Sequence, residues 1–382
     1  MKISGVKIPA GVTITAPTQE QPQAPSGPSK FVVGARRFGP PTQAGAAYIY
    51  NMDGTGEQKI TASDGAEYDL FGGSVAIHGD KIVVGASGDD DSGSYSGSVY
   101  VYNLDGTGEQ KITASDGAQN DGFGHSVAMT DTKIVVSALN DDDAGSNSGS
   151  VYVYNLDGTG EQKITASDGA GNDKFGQSVT MSDIKIVVSA ANDDNSKGSV
   201  YVYNTDGTGE QKITASDGVS GNQFGESVAV SDTKVVVGSS GDQMAKGSVY
   251  VYNLDGTGEV KITASDGVGN DLFGKSVAVT DTHIVVGAMG DGDAGSGSGS
   301  AYVYNLDGTG EVKITASDGA SGDRFGGAVY TDGQNIFVGA GDAGYPAEGY
   351  GSVYIYNMDG TGEQKIVPTI SPAGGGFGGS IA

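Results

Sequence analysis

The chain of 382 residues carries a formal net charge of −26, contains 67 glycines, and has neither cysteine nor tryptophan. Without cysteine there are no disulfides and no cysteine-ligated zinc, and so acidic a chain is not expected to bind nucleic acid, because phosphate binding depends on lysine and arginine. No apolar run approaches the roughly 20 residues that a membrane helix needs, so membrane insertion is not expected either.

Residues 1–30 differ in composition from the rest of the chain. Five of the ten prolines lie there, at Pro9, Pro17, Pro22, Pro25 and Pro28. Such a stretch predicts an extended linker or an anchoring arm. It lacks the apolar segment of a secretory signal, so ordinary export is not expected.

The remaining chain repeats one unit of about fifty residues. An Asn-x-Asp-Gly element begins at Asn51, Asn103, Asn155, Asn204, Asn253, Asn305 and Asn357. The Phe-Gly element that opens a unit begins at Phe71, Phe123, Phe175, Phe224, Phe273, Phe325 and Phe377. The sequence therefore holds seven units.

Each unit contains four predicted strands. In one copy these are FGHSVAM from Phe123, KIVVSA from Lys133, GSVYVYN from Gly149 and EQKIT from Glu161. Short turns, β-branched residues and the Asp-Gly hairpin at Asp157 predict an antiparallel meander. We interpret the lysine of EQKIT, on the outermost strand, as a guard against edge-to-edge pairing.

The third strand has two apolar faces. Val151 and Val153 lie on one face, and Tyr152 and Tyr154 lie on the other. Stacking seven such sheets around an axis covers both faces. The predicted fold is all-β, a seven-bladed β-propeller with four antiparallel strands per blade.

The two ends of the chain complete each other. Residues 31–35 match a second strand without a first, and residues 377–382 match a first strand with nothing after it. The ring is therefore predicted to close by pairing of the C-terminal strand with the N-terminal blade, and residues 31–382 form one propeller domain. Deleting residues 377–382 is predicted to open the ring.

The repeated line FGxSVA, KIVVGA, GSVYVYN and KITASDGA resembles FG-GAP repeats across residues 31–382. These repeats build the propeller of integrin α-subunits and of many bacterial and phage proteins, and the line KxTASDGAxxDxFGxSVA is similar to the bacterial version. The resemblance implies a seven-bladed propeller, adhesion or extracellular ligand binding and, in integrins, calcium.

The integrin calcium loops are not carried over, because only short turns such as HGDK from His78 stand between the first and second strands. Three later loops share an Asp-x-Asp-x-Gly pattern, which offers oxygen ligands to calcium. The candidate metal ligands are Asp89, Asp91, Asp141, Asp143, Asp291 and Asp293. The alternative is that these are solvated turns whose aspartates bond their own backbone. Calcium is thus a candidate cofactor, and no other cofactor is expected.

Propeller connectivity sends the loops between strands two and three, and the links between blades, to one face. That face is predicted to be acidic. Two of its loops are atypical, RRFGPPTQA from Arg36 and GDAGYPAEGY from Gly341, and they should lie on neighbouring blades. Exposed aromatic and arginine side chains are good anchors for a partner. The candidate ligand-binding residues are Arg36, Arg37, Tyr95, Tyr345 and Tyr350. The alternative is that the atypical loops only seal the ring.

No enzymatic activity is expected. His78, His125 and His283 fall at different positions of the repeat, and neither a GxSxG elbow nor a phosphate-binding loop is present. Near-identical blades also argue against one specialised carboxylate pair of the kind that a glycosidase needs.

The leading hypothesis is a surface-exposed structural and binding module, a component of a phage virion. Residues 1–30 would attach it to other virion proteins, and the acidic loop face would bind a host or cell-surface protein or glycan. The alternative is a bacterial cell-surface adhesin with calcium-dependent or glycan binding. A glycan-active enzyme is the third reading.

Overall fold

The computed structural model describes residues 29–36, 44–341, 350–369 and 376–382. These residues form seven four-stranded antiparallel sheets. Residues 1–28, together with the candidate ligand residues Arg37 and Tyr345, lie outside the described residues.

The strands follow the predicted order. The composite blade contains β1 (Lys30–Ala35), β2 (Ala46–Asn51), β3 (Gln58–Ile60) and β28 (Phe377–Ile381). Blades 1 and 2 contain β4 (Ser74–His78), β5 (Lys81–Ala86), β6 (Ser98–Asn103), β7 (Gln110–Ile112), β8 (Phe123–Met129), β9 (Lys133–Ala138), β10 (Ser150–Asn155) and β11 (Gln162–Ile164). Blades 3 and 4 contain β12 (Val179–Met181), β13 (Lys185–Ala190), β14 (Ser199–Asn204), β15 (Gln211–Ile213), β16 (Ser227–Val230), β17 (Lys234–Ser239), β18 (Ser248–Asn253) and β19 (Val260–Ile262). Blades 5 and 6 contain β20 (Phe273–Val279), β21 (His283–Ala288), β22 (Ser300–Asn305), β23 (Val312–Ile314), β24 (Ala328–Thr331), β25 (Asn335–Ala340), β26 (Ser352–Asn357) and β27 (Gln364–Ile366).

Two short turns, Asp193–Ser196 and Asp242–Ala245, connect the second and third strands of blades 3 and 4, and their inner residues have left-handed rather than α-helical backbone. Within the part of the chain that the structure describes, no helix has the length and apolar character needed to cross a membrane.

The core lies between the blades. The valine face of one sheet packs on the tyrosine face of the next, so that Val99 and Val101 of β6 share a buried cluster with Tyr152 and Tyr154 of β10. Phe123 packs edge-on against Tyr152, with ring centroids 5.4 Å apart. One such cluster fills each of the seven interfaces. The two-faced apolar pattern predicted from the third strand is confirmed.

Close backbone contact explains the glycines of the Phe-Gly and Gly-Ala pairs. A Cβ at Gly85 would lie 2.1 Å from the carbonyl oxygen of Gly124 in the next blade. Gly124 itself has a φ of +88°, in the region that favours glycine. At Gly85 this contact excludes a side chain, whereas blades 2 and 3 have the buried Ser137 and Ser189 at the corresponding position.

The ring closes as predicted. Strand β28 pairs antiparallel with β1, with Val33 opposite Ile381. At the outer rim, the Thr369 amide donates to Glu57 Oε2 at 2.9 Å and the Gln364 amide donates to the carbonyl of Asp53 at 2.7 Å. The ring is therefore closed twice. Strand β28 completes the composite blade, and the outer strand and following link of blade 6 bond to the hairpin of the composite blade.

Candidate binding face

The links between blades meet the loops between strands two and three on one face, called the loop face below. The Gly88 amide donates to the carbonyl of Asp69 at 2.9 Å, and the Asn120 amide donates to the carbonyl of Ser94 at 2.9 Å. Each loop is thus held between the link before its blade and the link after it. The opposite face carries the Asn-x-Asp-Gly hairpins. There Thr159 donates its amide hydrogen to Asp157 Oδ1 at 3.0 Å, which confirms the tight-turn role of this aspartate.

The candidate metal ligands do come together, and each pair is joined by an aspartate from the preceding link. The three groups, whose carboxylate oxygens lie within 4.8 Å of one another, are Asp64, Asp89 and Asp91; Asp116, Asp141 and Asp143; and Asp266, Asp291 and Asp293. The spacing of each group is small enough for one cation.

A lysine ammonium already lies among the carboxylates of each group. Lys313 Nζ is 2.6 Å from Asp266, 2.9 Å from Asp291 and 2.6 Å from Asp293. Lys111 and Lys163 make the corresponding ion pairs in blades 1 and 2. A calcium ion at these oxygens would have to displace the ammonium, so the residues present do not fit calcium as a resident ion.

These lysines come from the outermost strands, where the sequence pattern suggested a guard of the sheet edge. That interpretation is wrong, because only 22% of the Lys313 side chain is exposed and its charge is paired on the loop face. Burial alone would lower the pKa of Lys313, but its hydrogen bonds to Asp266, Asp293 and Asp291 outweigh burial and raise the pKa above its usual value. The lysine therefore stays charged.

A tyrosine of the third strand completes the group. The Tyr302 hydroxyl lies 3.0 Å from both Asp266 and Asp291, and Lys313 Nζ lies 5.4 Å from the centre of the Tyr302 ring. The same lysine, link aspartate and tyrosine recur in six blades: Lys111, Asp64, Tyr100; Lys163, Asp116, Tyr152; Lys212, Asp168, Tyr201; Lys261, Asp217, Tyr250; Lys313, Asp266, Tyr302; and Lys365, Asp318, Tyr354.

The composite blade departs from this arrangement. Its buried Tyr48 has a hydroxyl oxygen that finds no hydrogen-bond partner among the described residues. Burial and the nearby Glu57 raise the pKa of Tyr48. In the sequence, Phe38 and Ile370 stand where other blades have the two aspartates, and both lie outside the described residues.

The shorter loops of blades 3 and 4 adopt strained conformations. Asp194, Asn195 and Ser196 have φ values of +48°, +62° and +63° in succession, a backbone region that costs energy for residues other than glycine. Beside this loop lies an acidic cleft of about 750 Å³, bounded by the link at residues 168–173 and by Lys212.

The candidate ligand residues that are described lie on three blades. Arg36 is exposed at the end of β1 in the composite blade, and Tyr350 is 36% exposed before β26 in blade 6. These are neighbouring blades, as predicted. Tyr95 is 45% exposed in the loop of blade 1, which packs on the other side of the composite blade.

Sequence reasoning missed Tyr68, a residue of the link before blade 1 that is 49% exposed. The sequence does distinguish Tyr68, because the other described copies of the repeat have asparagine or glycine at the corresponding position.

Polar side chains also follow the Phe-Gly pairs. Glu226 and Lys275 form an ion pair between neighbouring inner strands.

Burial, with the positive charges of Lys174 and Arg36, lowers the pKa of His125 to about 4. This histidine is therefore neutral at physiological pH, and it shares no site with His78 or His283.

Comparison with known proteins identifies the repeat and does not identify a ligand. The sequence model described as FG-GAP repeat matches residues 55–102, 107–154, 159–203, 208–252, 257–304 and 309–356. No curated protein matches the chain. Among solved structures, the crystal structure of TolB from Acinetobacter baumannii is similar with a TM-score of 0.48 and 13% identity, covering 76% of this chain and 65% of TolB. A likeness at that level carries no argument about function.

Proposed function

Because the chain belongs to the FG-GAP repeat family, we propose that it is a non-enzymatic structural and binding module of a phage virion. Its loop face contacts a host or cell-surface partner. The observation that carries the proposal is the difference between the two faces. The hairpins of the opposite face are nearly identical in every copy, whereas the loops of the loop face vary in length and composition. Variable loops on a rigid scaffold are where binding residues concentrate.

Exposed apolar side chains support the loop face as the contact surface. Most of the large ones belong to its loops and links: Tyr68, Tyr95, Val219, Met244, Val268 and Tyr350. The turns between first and second strands, on the other face, contribute Ile184. Exposed aromatic and apolar groups beside polar ones are typical of binding surfaces.

Attachment to a particle is supported by composition. The proline-rich residues 1–30 have the character of an extended tether rather than of a propeller blade. Quantitative mass spectrometry of gradient-purified particles tests this part of the proposal. We expect peptides of the propeller in constant ratio to the capsid protein. Their absence from particles would overturn the virion assignment, and recovery from the cell envelope instead would favour an adhesin.

The contact surface is tested separately by blocking one face at a time. The chain has no cysteine, so Ser94→Cys on the loop face and Asp281→Cys on the opposite face each give one exposed site for a bulky maleimide polymer. We expect the polymer at residue 94 to abolish binding of the purified protein to host cells and the polymer at residue 281 to leave it unchanged. The reverse result would overturn the loop face as the contact surface.

A further inference from the structure

Two positions of the repeat, one in the link and one in the loop of the loop face, have a left-handed backbone in every copy that the structure describes. In blade 1 both positions hold tyrosine, Tyr68 with φ +74° and Tyr95 with φ +58°. The copies corresponding to Tyr68 are Asn120, Asn172, Gly221, Asn270 and Gly322, with φ values of +72°, +72°, +89°, +73° and +86°. The residues that correspond to Tyr95 in blades 2 to 5 are Asn147, Ser196, Ala245 and Gly297, with φ values of +54°, +63°, +62° and +64°. Asparagine and glycine are the residues that tolerate this conformation.

Folding does not account for these tyrosines. Left-handed backbone is energetically unfavourable for a bulky residue. The side chains recover little of that cost by burial, since Tyr68 is 49% exposed and Tyr95 is 45% exposed. Two strained, exposed aromatic residues in one loop region indicate a role outside the fold.

The two tyrosines border the same loop. The carbonyl of Tyr68 abuts Gly88 at the start of the loop, where a Cβ would lie 2.0 Å from the oxygen. Near the end of the loop, the Tyr95 amide donates to Asp90 Oδ1 at 2.7 Å. Glu67 raises the pKa of Tyr68, and Tyr95 adds to that shift.

The surroundings select a positively charged partner. Six carboxylates lie in these links and loops against the single ammonium of Lys111: Asp64, Glu67, Asp69, Asp89, Asp90 and Asp91. Blade 2 has Gln119 in place of Glu67. Aromatic faces beside carboxylates attract cations. The chain itself shows this chemistry, with Lys111 Nζ 5.3 Å from the centre of the Tyr100 ring.

We propose that Tyr68 and Tyr95 form a docking site for a segment of a partner protein that carries lysine or arginine. The cationic side chain lies against the phenol rings, and Glu67 and Asp90 supply the opposing charge. This site deepens the proposed function and rests on it, because it specifies where on the loop face contact is made and with what chemistry.

The neighbouring repeat supplies the test variant. Replacing Glu67→Gln, Tyr68→Asn and Tyr95→Asn together gives blade 1 the residues of blade 2 at all three positions. The variant is expected to melt no lower than the wild type, because asparagine accepts positive φ more readily than tyrosine. Three fluorescently labelled probes are used: a hexa-arginine peptide, a hexa-glutamine peptide and neutral maltohexaose. Fluorescence polarisation measures the binding of each probe. We expect salt-sensitive binding of hexa-arginine by the wild type and about tenfold weaker binding by the variant.

The matched gain variant carries Gln119→Glu, Asn120→Tyr and Asn147→Tyr. It also carries Lys174→Gly, because the Lys174 ammonium bonds Asn147 at 3.3 Å where blade 1 has Gly122. It is expected to bind a second equivalent of hexa-arginine and to melt lower than the wild type. Equal affinity of the triple blade 1 variant and the wild type would overturn the tyrosine site. Tyrosine-dependent binding of maltohexaose without binding of hexa-arginine would overturn the ligand class. Either result leaves the proposed loop-face function standing, since the face-blocking experiment tests that function independently.

Discussion

Asp69 lies in the link before blade 1 with only 4% of its surface exposed. Its Oδ2 accepts a hydrogen bond from the Ala66 amide at 2.6 Å. Burial, with the nearby charges of Asp89 and Asp90, raises the pKa of Asp69 to about 6 despite that hydrogen bond. Asn222 occupies the corresponding position of blade 4 and donates to Asp242 at 3.1 Å. The side-chain amide of Asn222 is thus an uncharged group that donates a hydrogen bond at this position.

The raised pKa gives a pH-dependent prediction. Below about pH 4 Asp69 is protonated in both states and its contribution to stability is complete. As the pH rises through about 6, the folded state must ionise a buried group and that contribution is lost. Asp69→Asn does not titrate, so we expect it to raise the free energy of unfolding by on the order of 2 kcal/mol at about pH 8 and to have little effect at about pH 4. Urea unfolding at both pH values measures this. The reverse change, Asn222→Asp, should destabilise at about pH 8. A gain from Asp69→Asn that is equal at both pH values would contradict the assignment.

Lys313 supplies the positive charge that pairs with Asp266, Asp291 and Asp293. Lys313→Met leaves the carboxylates together without a cation, and we expect a loss of about 3 kcal/mol in unfolding free energy. Calcium should restore part of this loss, because it binds the folded state alone. The wild type should melt at the same temperature in calcium and in EDTA. The control is Lys185→Met, whose ammonium bonds the Asn204 side chain at 2.9 Å and should give no calcium response. A wild type that loses stability in EDTA would show that a metal, and not the ammonium, holds these loops.

A recurring glutamate joins the hairpin of each blade to the link before that blade, a contact called the clasp below. Glu161 of blade 2 accepts from the Ser115 amide at 3.1 Å and from the Tyr154 hydroxyl at 2.9 Å. Ser115 belongs to the link that leaves the preceding blade, so the clasp ties one sheet to the next. Glu311 makes the same contacts with Ser265 and Tyr304 on another part of the ring.

Removing this charge should loosen one interface without unfolding a blade. Glu161→Gln is expected to cost about 1 kcal/mol of unfolding free energy, since a charge-assisted acceptor is replaced by an amide. Glu311→Gln should cost the same, and the double variant should show the sum, because the sites are distant. Chemical denaturation of the three variants measures the effect. Unchanged stability in both single variants would mean that the clasp contributes nothing.

The strands and their packing follow from patterns within one copy of the repeat. Alternating valine and tyrosine predicts a sheet with two apolar faces, and the incomplete unit at each end predicts the closure. The roles of Lys163 and Glu161 depend on partners 47 and 46 residues away in the preceding link. Every copy offers several aspartates and serines, so spacing along the chain does not indicate which of them come into contact. The fourth strands are also shorter than the predicted EQKIT, because Glu161 turns to the neighbouring link.

The candidate docking site is recognised by tyrosine at left-handed backbone positions where other copies have smaller residues. Tyrosine recurs in every third strand, so one more tyrosine attracts no notice by composition. The sequence shows tyrosine at residue 68 where other copies have asparagine or glycine, and the positive φ of those copies explains why the difference matters. Arg36 and Tyr350 remain predicted ligand residues, since no contact within the described residues assigns them a partner.

The whole ring depends on the short strand β28. Phe377 is fully buried, with its ring centre 5.3 Å from that of Tyr48. Phe377→Ala removes only that ring and should cost about 3–5 kcal/mol. Deleting residues 377–382 also removes the ladder with β1 and should lower the melting temperature further, exposing the inner edge of the composite blade. A truncated protein that melts like the full chain would contradict the closure.

A disulfide across the closure tests it most directly. Val32 and Ala382 exchange backbone hydrogen bonds at 2.7 and 3.0 Å, so the next pair, Val33 and Ile381, is a non-hydrogen-bonded pair with its side chains close together. The chain has no other cysteine. We expect Val33→Cys with Ile381→Cys to form an intramolecular disulfide on mild oxidation, detected by mass spectrometry of the digested monomer, while Val33→Cys with Ile184→Cys does not. Free thiols, or disulfides found only between molecules, in the first variant would contradict a ring closed by its own C-terminal strand.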